Sequence, residues 1–199
     1  MSEQRTEPSK GELTRQTILD AAIVRFGRDG FRATSVADIA RDASVSGTAA
    51  YAHFPNKEAL FDAALDEDAA AVIHEGVSHV IEEGHSSEEW RETLILTLVA
   101  AVERHPLARR VLSGLEPHVT DRVVELPAMQ DLRKSVADRL RRDQEQGLVR
   151  DDIDPAAIAD GAVGIIVSLL MAVLQLGSAG VAVYGPGIWA LFGAALDPR

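Results

Sequence analysis

Apolar residues in the first thirty positions recur at helical spacing. Ile18, Leu19, Ala22, Ile23 and Phe26 share one face, which predicts a helix over 14–29. Asp29-Gly30 should end it, with Gly30 in a left-handed cap and Phe31 folding back as the apolar follower. The next stretch, 34–61, reads TSVADIARDASVSGTAAYAHFPNKEALF. Ser35 can cap a short helix whose inward side is Val36, Ile39 and Ala40, with Asp38 favouring its positive end. That helix should stop near Asp42, because Ala43-Ser44-Val45-Ser46 supplies a turn and a second cap. A second short helix then runs to about Ala52 with Val45, Ala50 and Phe54 on its core side. Pro55-Asn56 breaks it, and Asn56 caps a longer helix.

Further along, that longer helix should continue past 70 toward 83, weakened only by Gly76. Ser86 and Glu89 have capping-box spacing, and Trp90, Leu94, Leu98 and Ala101 line one face of the helix that follows. His105-Pro106 opens a short helix, while Glu116-Pro117 and Leu126-Pro127 bracket another short segment. A helix over 128–147 should turn Leu132, Val136 and Leu140 inward and leave Arg133, Arg139, Arg141 and Arg142 in solvent. Asp154-Pro155 starts the next one with a carboxylate cap and a first-turn proline. From Gly161 to Leu196 no residue carries a formal charge, and the first half is apolar on every side. Such a helix is either buried all round or spans a membrane. The flanks lack basic anchors, which favours burial between the chain's own core and a second copy. Gly161, Gly164 and Ser168 would let helix axes approach, a break is expected at 177–180, and Gly185-Pro186-Gly187 reads as a turn or helix start.

Two short helices joined by a three- or four-residue turn make a helix-turn-helix, whose second helix is built to enter a DNA major groove. Seven residues give roughly 10 Å of helix, which fits a groove about 12 Å wide. Ser35, Ile39, Ala40, Val45, Ser46, Tyr51, His53, Phe54, Lys57, Glu58 and Leu60, with Gly30, Phe31 and Thr34 upstream, carry a recognisable pattern. It resembles the DNA-binding signature of tetracycline-repressor-like (TetR family) transcriptional regulators, and covers about the first third of the chain. Two positions depart from it. Ser44 stands where the family usually has Gly in a left-handed turn, at a cost of about 1 kcal/mol. Ala49 stands where the family usually carries Thr.

Composition changes the picture at two points. The chain of 199 residues has a net charge of −11, which is unfavourable for contact with phosphates. Residues 1–57 nevertheless balance at +1, so the acidity lies in the remainder, which should repel DNA from all but the intended face. Without cysteine there are no disulfides or thiolate metal sites, and the polar N-terminus lacks the apolar run of a secretory signal.

These observations define the expectations. The fold class is all-α: a DNA-binding domain over 1–56, with 1–11 as a flexible arm, and a helical ligand-binding and dimerisation domain over 57–199. DNA contacts are expected from Ser35, Ser46, Gly47, Thr48, Tyr51, His53 and Lys57, with Arg32 or Arg41 nearby. The reading helix has no Arg, Asn or Gln for bidentate base contacts, so discrimination rests on Thr48, Tyr51 or DNA shape. The resemblance further implies a homodimer that binds a palindromic operator and releases it on taking up a small molecule. Trp90, Thr97, Met129 and Met171, with His74, are candidates for that pocket. Ile166, Leu170, Val173, Leu174, Trp189 and Phe192 are candidates for the dimer interface. No catalytic, metal or cofactor site is expected: His74 and His79 lie about 140° apart on a helix, and no phosphate loop, nucleophile elbow or dinucleotide fingerprint occurs. A cytoplasmic location is expected. The alternative function is a membrane-anchored or protein-binding helical module using 161–196.

Overall fold

The computed structural model describes residues 9–77, 80 and 87–198. Ser9 caps α1 (Lys10–Asp29), accepting from the Glu12 amide while Glu12 accepts from the Ser9 amide. Lys10 and Gly11 therefore belong to α1, which corrects the expected arm; the rest of that arm, up to residue 8, lies outside the described residues. α2 (Val36–Asp42) and α3 (Gly47–His53) follow, capped by Ser35 and Ser46. Asn56 then caps α4 (Lys57–Val77) through the Ala59 amide. Its extension toward 83 falls largely outside the described residues, as do Ser86 and His79.

α4 is the spine. Its first half meets α1 through Phe61 on Phe26, ring centroids 5.0 Å apart and edge-to-face. Its second half meets α5 (Ser87–Arg104), where a Cβ on Gly76 would come within 2.6 Å of Leu98. α6 (Pro106–Leu112) crosses both α1 and α4, and a 3-10 segment (Pro117–Glu125) leads to α7 (Pro127–Glu145). α8 (Pro155–Leu176) packs on α7 and then on α9 (Ser178–Leu196). One hydrophobic core runs from Ile18 to Leu196 through all of these elements, and no strand occurs among the described residues.

Two details differ from the sequence expectations. Arg139 is buried, not solvated. Its Nε donates to Asp143 Oδ1 at 2.9 Å, its guanidinium lies 5.4 Å from the Trp90 ring centre, and Trp90 Nε1 donates to Asp143 Oδ2 at 3.0 Å. The three groups satisfy one another between α5 and α7. Pro186 sits within α9, whose break from α8 falls at Gly177 with φ +69°, so Gly185-Pro186-Gly187 is neither a turn nor a start.

Candidate nucleic-acid interface

α3 is anchored from beneath and open above. Ala50 is its one buried residue among 47–53, and Phe54, just past its end, is buried as well. Ser46, Thr48, Tyr51 and Ala52 are exposed, Gly47, Ala49 and His53 half so, and Tyr51 retains 53% of its surface. The Ser46 hydroxyl accepts from the Ala49 amide at 3.1 Å, fixing the N-terminal turn. Ser44 holds φ +55°, the one positive φ at a non-glycine residue among those described, and directs α3 across α2. The Val45 amide donates to the Ala40 carbonyl at 2.9 Å across this turn. Nothing lies within 4 Å of a Cβ built on Gly47, so the backbone there is open to a partner.

Charge around this unit is held in local pairs. The Ser35 hydroxyl donates to Asp38 Oδ2 at 2.6 Å, and Arg41 reaches Asp38 Oδ1 at 2.9 Å. Those hydrogen bonds, Ser35 first and then Arg41, hold the Asp38 carboxyl below its usual range. Arg25 donates to both oxygens of Asp42, holding that carboxyl down and the guanidinium's own value up. Arg15 sits 5.1 Å over the Phe54 ring. Lys57, expected as a DNA contact, points back into the protein: Nζ donates to the carbonyls of Phe31 at 3.0 Å and Thr34 at 3.2 Å, and lies 4.2 Å from the Phe31 ring centre.

The turn that precedes α2 is also gripped from the other side, by residues that no local pattern marks. Glu116 is 4% exposed; its Oε1 accepts from Arg110 Nε at 2.7 Å and from the Phe31 amide at 3.1 Å. Gly30, at φ +83°, leaves the room: a Cβ there would stand 2.5 Å from Arg110 Nη2 and 2.7 Å from Glu116 Oε1. A Cβ on Gly27 would likewise stand 2.6 Å from Pro106 Cβ. α6 thus bears on the helix-turn-helix unit at backbone distance.

Behind α6 lies a cavity of about 40 Å³ with walls from α4, α5, α6, α7 and α8 and the 3-10 segment. Of the five pocket candidates only Met129 lines it. Trp90 is committed to Asp143, and the Thr97 hydroxyl donates to backbone, with the Gly76 carbonyl at 2.8 Å. Met171 faces outward, on a groove shared by α8 and α9, and His74 is exposed. The interface candidates divide too. Ile166 and Leu170 are buried within this chain and line the cavity, and Phe192 turns inward beside Trp90. Val173, Leu174 and Trp189 are half-buried. The outer surface is formed instead by Gly161, Gly164, Ser168, Leu176, Val183 and Leu191, all exposed. By length and composition α8 could cross a membrane, yet its inner side belongs to this chain's core.

A capped, outward-facing helix set on a tight turn over a three-helix core defines a helix-turn-helix DNA-binding protein. The family model described as bacterial regulatory proteins, tetR family, matches residues 18–64. Over 146 residues the chain is 31% identical to the HTH-type transcriptional repressor AcnR of Corynebacterium diphtheriae, covering 71% of this chain and 70% of that protein. The chain belongs to the tetR family of bacterial transcriptional regulators. Its fold matches a TetR-family regulator from Cytophaga hutchinsonii with a TM-score of 0.77 at 18% identity, over 98% of this chain and 100% of that one. A gamma-butyrolactone receptor described as ArpA-like matches with a TM-score of 0.59 at 25% identity, over 95% and 90%.

Proposed function

We propose that this regulator is a cytoplasmic, homodimeric repressor that reads a palindromic operator through two copies of α3 and lets go when a small molecule enters the cavity behind α6. One observation carries the DNA reading: α3 buries only Ala50, so the rest of a rigidly capped helix is left for a partner. Thr48 and Tyr51 face the bases, while Ser46, the Gly47 backbone, Ser35 and His53 meet phosphate and sugar. Lys57 acts one step back, holding the 31–34 turn on which α2 rests. We place the division between the two domains at 56, the first twelve or so residues of α4 serving as the stem of the reading unit.

The repressor sense is supported by likeness to AcnR, a repressor, and the small-molecule sense by likeness to a gamma-butyrolactone receptor. Pairing is supported by the uncharged outer face of α8 and α9, where small residues and exposed Leu176, Val183 and Leu191 form one surface. The test is an anisotropy titration of the chain's own upstream region. Tyr51→Ala should weaken binding by about 1–3 kcal/mol with the fold intact; an unchanged curve removes Tyr51 from the interface.

A further inference from the structure

The cavity behind α6 says something about the effector itself, given the reading above that this is where the effector sits. Among the described residues its walls are hydrocarbon and thioether only: Leu65 and Val72 from α4, Val111 from α6, Met129 and Leu132 from α7, and Ile166 from α8 are representative. No wall offers a hydroxyl, amide or charge, and none is aromatic.

Buried polar groups on the surrounding helices are spoken for. Asp68, 3% exposed, accepts from the amides of Leu107 at 3.0 Å and Ala108 at 2.8 Å, and meets His105 Nδ1 at 2.8 Å. The far ring nitrogen of His105 faces Glu75 Oε2 at 3.1 Å. Thr97 donates to backbone carbonyl, and Trp90 and Arg139 share the two oxygens of Asp143. A hydroxyl, carbonyl or carboxylate brought into this space would leave water and find no partner, a loss of about tenfold or more in affinity.

We propose that the effector enters this cavity as an uncharged, hydrocarbon-like molecule that presents no hydrogen-bonding group to its walls. At about 40 Å³ the resting cavity is too small for such a guest, so the walls must part. An apolar cavity of this kind stays dry, and filling it replaces empty space with dispersion contacts. Val111 is next to Arg110, whose Nε holds Glu116 and through it the Phe31 amide. Pushing the α6 wall outward therefore pulls on the turn that carries the reading unit.

Calorimetry and thermal melts on the full-length chain, with toluene and cyclohexane against phenol and cyclohexanol, test the assignment. The hydrocarbons should bind at least tenfold more tightly than their hydroxyl counterparts and raise the melting temperature. Ala69→Leu, which fills the cavity, should abolish that binding, and Leu132→Ala, which enlarges it, should strengthen it. Equal or tighter binding of the hydroxyl compounds, or no hydrocarbon binding at all, overturns the assignment. DNA release is read separately by anisotropy. Hydrocarbon binding without release removes the release reading and upholds the ligand class; release by cyclohexanol acting in this cavity does the reverse.

Discussion

Ser44 is the residue at which the chain accepts local strain for direction. A left-handed backbone at a residue with a Cβ costs about 1 kcal/mol, and Ser44 adopts it in the turn from α2 to α3. Ser44→Gly should therefore raise stability to urea by about 0.5–1 kcal/mol and leave operator affinity within twofold. Lys57 behaves differently. Removing its ammonium frees two carbonyls, so Lys57→Ala should cost about 1–2 kcal/mol of folding stability. The salt dependence of DNA binding should then change by less than the one unit per half-site that a direct phosphate contact would give. The turn position of Ser44 and the caps Ser35 and Ser46 were readable from local pattern, because capping acts over two or three residues. The inward turn of Lys57 was not, since its partners Phe31 and Thr34 lie more than twenty positions away.

At the scale of elements, the contact between α6 and α1 decides whether one end of the molecule can inform the other. Glu116 joins the segment after α6 to the backbone before α2. Glu116→Ala would leave the Phe31 amide and the half-buried Arg110 without that acceptor, at about 2–3 kcal/mol by chemical denaturation. Amide exchange at 30–35 should speed up in this variant more than exchange in α8. Acid should act on other carboxylate pairs. Asp38 and Asp42 are held below their usual 3.8, and Glu75 below 4.5, chiefly by Arg104 with His105 second. A lowered carboxyl stabilises the fold above its unfolded value and ceases to do so as pH falls through its folded one. The melting temperature should thus be level from pH 7 to about 5 and drop below about 4, less steeply in Asp42→Asn. The helices themselves were largely evident from periodicity and breaks. Arg139 has its carboxylate partner, Asp143, four residues on in the same helix; what no local pattern shows is that Trp90 of α5 closes over the pair and buries it.

For the whole molecule, the all-α class and the helix-turn-helix unit were apparent in the sequence. Which face of the uncharged segment lies outside the chain's own core was not. α8 is apolar on every side, so hydrophobicity cannot distinguish Ile166 and Leu170, inside, from the outer face; small residues at Gly161, Gly164 and Ser168 mark it better. Ser168→Glu should give a folded monomer on a sizing column, whereas charge at Ile166 should unfold the protomer. Residues 1–57 balance at +1 and the rest carries the acidity, a split that should disfavour DNA on every face but the reading one. The measurement that tests the account most directly is a hydroxyl-radical footprint of the dimer on its own upstream DNA. Two protected patches about 34 Å apart on one face of the duplex, both lost in Tyr51→Ala, are the expected result. A single patch, or two that persist without Tyr51, would contradict it.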